Sequence, residues 1–179
     1  MFDSFYEFTK VCKNQAYNKS FLYDTTIFRF ETPVARYTAE LERYHHDIFI
    51  IKFYRTKDKK NKNKFNIITN ENNCTRIVLT CIQILLSVLK DYPRASFGFI
   101  GANTINAESG FIEGKQNTKR FRIYKTAMEN LVGTQLFHHS MDELHSTYLM
   151  VNNRNKSVTE ILEKAKTMFE KIYPILEDN

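Results

Sequence analysis

Tryptophan is absent from this 179-residue chain, and glycine, proline and cysteine are scarce at 5, 3 and 3. Each shortage removes a class of chemistry. Gly98, Gly101, Gly110 and Gly114 fit neither glycine-rich nucleotide fingerprint, which excludes a phosphate-cradling loop of that type. Cys12, Cys74 and Cys81 have no metal-ligand spacing. On a shared helix, Cys74 and Cys81 stand about 10 Å apart at 1.5 Å rise per residue. A disulfide tolerates a Cα separation of only about 7 Å. Free thiols in a cytoplasmic protein are the expectation, and the Asn-x-Ser/Thr triplets at Asn18, Asn73 and Asn155 then carry no glycosylation message. The most apolar run, 77–89, is broken by Thr80, Gln83 and Ser87 and falls short of the ~20 residues that span a bilayer. Asp3 and Glu7 stand where a signal peptide carries bases, and no apolar segment follows them.

What is present fits one folded α+β domain over residues 1–179. The hydrophobic content is 42%, the 14% aromatic content is Phe and Tyr alone, and no repeat or linker divides the chain. A net charge of +6 and a pI near 9.1 are compatible with nucleic acid, an acidic partner or an anionic surface.

The first twenty residues stay open, since Phe5-Tyr6-Glu7-Phe8 fits a short strand or a helix start. From Thr26 the period is two. Ile27-Phe28-Arg29-Phe30-Glu31 alternates, Thr32-Pro33 punctuates, and 34–44 alternates again, with Tyr37, Ala39 and Leu41 set against Arg36, Thr38, Glu40 and Glu42. Tyr44-His45-His46-Asp47 predicts a turn, and 48–54 a central, nearly all-apolar strand. The lysine-rich run 57–64 predicts a hairpin tip, with 65–69 returning as the fourth strand of an antiparallel meander. After Asn72-Asn73, suited to capping, 75–90 predicts an apolar central helix burying Ile77, Ile84, Leu85 and Val88, ended by Tyr92-Pro93. A fifth strand over 95–101 precedes a long loop, 102–116. A basic helix runs from Thr118 to a stop at Gly133, 134–137 and 147–151 pair across 139–146, and the capping box Ser157–Glu160 opens a C-terminal amphipathic helix that Pro174 kinks or ends.

The basic helix is the strongest site signal. Its start, Thr-Lys-Arg-Phe-Arg-Ile-Tyr-Lys over 118–125, holds cations where the helix dipole disfavours them by about 0.3–1 kcal/mol each. Free N–H groups at a helix start bind phosphate, and arginine adds bidentate donors. The candidate anion or nucleic-acid site is Lys115, Lys119, Arg120, Arg122, Tyr124 and Lys125, with Tyr124 stacking on a base or donating its hydroxyl. The plainer reading is a half-buried helix with Phe121, Tyr124, Met128, Leu131 and Val132 inward and Glu108 and Glu113 as counter-ions to its basic face.

The order of strands, apolar helix, Tyr-Pro, strand and Arg-x-Arg helix start resembles small uncharacterised bacterial families of the domain-of-unknown-function type. It rests on Arg76-Ile77-Val78-Leu79-Thr80, Tyr92-Pro93 and Arg120-Phe121-Arg122-Ile123-Tyr124, and spans 28–131. The loop 102–116 is longer than that pattern, and the resemblance implies no activity. At fold level, four antiparallel strands followed by a helix resemble the single-stranded nucleic-acid-binding domains of the PUR and Whirly type, and fold alone gives no function.

The expected function is that of a non-enzymatic protein binding single-stranded nucleic acid or a phosphate-bearing ligand, with no cofactor, metal or membrane. One alternative is the protein-interaction component of a toxin–antitoxin or phage-defence pair. The other is a metal-independent nuclease with His45, His46, His138 or His139 as general base and Arg120 and Arg122 on the phosphate. His138, His139, Asp142, Glu143 and His145 lie close in sequence but lack the i, i+4 histidine spacing of a helical zinc motif.

Overall fold

The structure is a computed structural model that describes residues 4–17, 19–67, 74–106 and 109–173. Four strands, β1 (Phe8–Gln15), β2 (Leu22–Glu31), β3 (Arg36–Tyr44) and β4 (Ile48–Arg55), form the antiparallel meander. Helix α1 (Cys74–Ser87) then crosses over to β5 (Ser96–Ile100), which pairs parallel with β4. A parallel pair needs such a crossover, and α1 supplies it. A small hairpin, β6 (Ile105–Asn106) with β7 (Phe111–Ile112), gives the loop 102–116 structure of its own. Helix α2 (Lys119–Leu131), the hairpin β8 (Phe137–Asp142) with β9 (Thr147–Asn152), and helix α3 (Val158–Ile172) complete the chain. The main sheet has seven strands in the order β1-β2-β3-β4-β5-β9-β8.

One face carries the main core. Ile77, Ile84 and Leu85 of α1 and Val88 of the 3-10 turn after it (Val88–Lys90) are buried there, as the apolar wheel predicts, with Phe97 and Phe99 beneath and Phe121 of α2 alongside. Thr80, which the wheel places on the polar stripe, is buried too. Its hydroxyl donates to the Arg76 carbonyl at 2.9 Å and accepts from the Tyr6 amide at 2.9 Å, which pins the N-terminal segment to α1. The opposite face is covered in part by α3, whose Ala165 and Met168 pack on Leu22, Tyr44, Ile48 and Ile50.

The fourth strand of the meander is β1, and residues 65–67 of the expected return strand do not join it. After β4 the polar run coils through successive turns, Lys59 to Thr56, Asn61 to Asp58, Lys64 to Asn61 and Asn66 to Asn63, so the chain never doubles back as a hairpin. Ile67 makes only an isolated parallel bridge to Ile105. The C-terminal hairpin also sits later than expected, because 134–136 is a turn and pairing starts at Phe137, the buried residue of the segment. The Asn72-Asn73 cap, residues 68–69 of the expected strand, Glu108 and Pro174 lie outside the described residues.

Candidate ligand cleft

Thr118 caps α2. Its hydroxyl accepts from the Phe121 amide at 3.2 Å and donates to the Gly101 carbonyl at 2.8 Å. One of the free N–H groups expected to receive an outside anion, that of Lys119, meets a carboxylate of the chain itself. Glu113 accepts from the Lys119 amide at 2.6 Å through Oε1 and from the Thr104 amide at 2.9 Å through Oε2. Burial pushes the Glu113 carboxyl up, but these N–H donors and the nearby Arg122 charge outweigh it and hold the group below its ordinary value. A depressed carboxyl stabilises the fold above its unfolded-state pKa and loses that contribution as pH falls through the folded value. Glu113→Gln therefore costs about 1 kcal/mol at pH 7, in the range of a lost helix cap. The difference from wild type narrows in urea titrations run at pH 3, as the carboxyl takes up its proton. An equal deficit at both pH values contradicts the charge-based cap.

The six expected site residues do not form one surface. Tyr124 is buried at 4% exposure with its ring 4.7 Å from that of Phe99, so it cannot stack on a base. The Arg120 guanidinium donates to the Phe65 and Ile67 carbonyls and lies 5.7 Å from the Phe53 ring centroid, which ties α2 to the segment after β4. Arg122 donates to the Asn117 carbonyl, and Lys125 pairs with Glu143 at 3.0 Å. Lys115 and Lys119 are exposed. The histidines do not converge on these arginines either. Both ring nitrogens of His139 are engaged, Nδ1 with the Tyr148 hydroxyl and Nε2 with the Gly133 carbonyl, each at 2.6 Å. His45 packs against Phe21 and Tyr23 at the far end of the meander, and His138 is exposed. No group of three or more metal-ligating side chains occurs among the described residues, nor is any described helix long and apolar enough to cross a membrane.

Three other charged networks are internally balanced. Buried Asp24 holds Lys13 at 3.0 Å and Arg43 at 3.7 Å. Glu42 takes Lys52 at 2.7 Å and the Tyr44 hydroxyl at 2.8 Å, and Glu40 takes Lys64 at 2.8 Å. With each carboxylate matched to a cation, these pairs act as structural counter-charges.

A cleft remains that the sequence reading missed. It holds about 690 Å³ between α3 and the part of the sheet that α3 leaves open. Ile50, Ile100 and Leu149 are on the sheet side, and Leu162 and Phe169 on the helix side. Four carboxylates line it, Asp142, Glu143, Glu163 and Glu170, against the one lysine Lys166. Glu163, Lys166 and Glu170 recur at helical spacing, which puts them on one stripe of α3. That stripe is visible in the sequence, but the strand face opposite it is not. In the β8–β9 turn, Asp142 Oδ2 lies 2.7 Å from His145 Nδ1, and Oδ1 accepts from the His145 amide at 3.2 Å. Burial raises the Asp142 carboxyl, and the hydrogen bonds from His145 more than reverse this. With the Asp142 carboxylate accepting, Nδ1 is the donor of this contact. Nε2 is shut off from water with no partner among the described residues.

Compared with known proteins, the chain matches no family model, no curated protein and no solved structure.

Proposed function

We propose that the chain is a binding protein, not an enzyme, and that its ligand is a small organic cation with an apolar body seated in the cleft beside α3. The observation that carries this reading is the acidic lining of that cleft in a chain whose net charge is +6. Its volume lies within the roughly 300–1,000 Å³ of ordinary ligand sites, and apolar walls with a few charged groups are the usual composition of such sites. Glu163 and Glu170 make no salt bridge among the described residues, so their charge is available to a ligand.

Calorimetric titration with a series of aryl- and alkylamines, against carboxylates of the same shape, tests this directly. Amines bind and the carboxylates do not. Glu163→Gln with Glu170→Gln weakens amine binding roughly tenfold, as expected for two partly exposed charge contacts. Equal binding of both series, or binding of neither to the folded chain, rules the reading out.

A further inference from the structure

Among the described residues the seven-strand sheet ends in two unpaired edges, and they are built differently. β1 carries Lys10 and Lys13 and a register shift between Lys10 and Cys12, devices that natural sheets use to keep an edge from pairing. β8, Phe-His-His-Ser-Met-Asp, has no lysine, no proline and an unbroken register from Phe137↔Asn152 to Asp142↔Thr147. The Asn153 amide donates to the Leu136 carbonyl. By the alternation of an antiparallel ladder, residues 138, 140 and 142 then turn their backbone groups toward β9. Phe137, His139 and Met141 turn theirs away from the sheet. Beside this edge Leu136 and Met141 stand 54% and 39% exposed.

The geometry points to β8 as the interface with a second copy of this chain, the two β8 strands pairing antiparallel about a two-fold axis at Ser140. In that register outward-facing His139 meets outward-facing Met141. His138 of each copy stands opposite Asp142 of the other, and this imidazole–carboxylate pairing occurs twice by symmetry. β8 and the turn after it carry no lysine or arginine, so this pairing brings no cationic side chains of the two edges face to face. Ser140 and Asp142 line the cleft, so the second copy's His138 comes to its mouth. The pairing does not depend on the cleft binding anything.

Sedimentation equilibrium of the full chain, over micromolar to submillimolar concentration, tests it. The expected mass is twice the 21.2 kDa of one chain. His138→Asp, which sets carboxylates opposite each other twice per dimer, raises the dissociation constant roughly tenfold. His138→Lys keeps the dimer, and Lys10→Glu on the other edge leaves it unchanged. In hydrogen exchange the His139 and Met141 amides become protected as concentration rises. A chain that stays monomeric throughout overturns the inference. So does a dimer that survives His138→Asp with the His139 and Met141 amides still exchanging freely.

Discussion

Replacing Gly101 by alanine lowers the stability of the chain by about 3 kcal/mol, and Gly98→Ala, three residues earlier in the same strand region, costs less than about 1 kcal/mol. A Cβ on Gly101 lies 2.6 Å from Phe121 Cβ, 2.7 Å from Thr118 Oγ1 and 2.9 Å from the Phe121 backbone nitrogen. Two of those atoms form the cap of α2, so the methyl group must push the helix start away from β5 or break the Thr118 cap. Overpacking of this kind costs about 1–3 kcal/mol, and a lost cap adds about 1. At Gly98 the close atom is Ile50 Cδ1 at 2.5 Å, the far end of a flexible side chain, and the next neighbours stand at 3.7 Å. Ile50 lines the cleft and has room to turn into it. Urea unfolding of both variants reads the contrast. If Gly101→Ala stays within half a kilocalorie per mole of wild type, the close approach of α2 to β5 is wrong.

Tyr124→Ala costs about 3–5 kcal/mol, the range for removing a large buried aromatic. The ring sits between α2 and β5, tilted 30° against Phe99 with centroids 4.7 Å apart. Burial also pushes its hydroxyl well above the ordinary tyrosine range. Tyr124→Phe keeps the ring and its packing and stays close to wild type. A tyrosine serving as a stacking platform for a base stands on the surface, and its removal changes stability by no more than about half a kilocalorie per mole. Unfolding free energies of the two variants separate these cases without reference to any ligand.

The helical wheel already held that answer, because it puts Tyr124 on the face of Phe121 and Met128, both buried. The cap at Ser157 and the positive-φ stop at Gly133 were legible because each is a local rule met by one residue, whereas Thr118, expected within the helix, is its cap. Helix α1 was legible because apolar side chains nearly encircle it. β1 was not. Seven of its eight residues are exposed, so no apolar alternation marks it, and a bulge breaks what alternation there is. The parallel pairing of β4 with β5 and the packing of α3 on β2 and β4 join segments far apart in the chain, and local periodicity carries no record of either. The same gap hid the cleft, whose two walls are separate in sequence. Glu113 as the internal partner of the α2 start was visible only as a loop acid of the right sign.

The central claim is that ligand recognition belongs to the cleft beside α3 and not to the start of α2. Backbone amide shifts of the isotopically labelled full chain, titrated in turn with an arylamine and with a single-stranded oligonucleotide, test it most directly. The arylamine is predicted to move the amides of Ile100, Thr147, Leu149 and Glu170 and to leave Lys119 and Arg122 in place. An oligonucleotide that moves Lys115, Lys119, Arg122 and Lys125 in saturable fashion, while the amine moves nothing in the cleft, contradicts it.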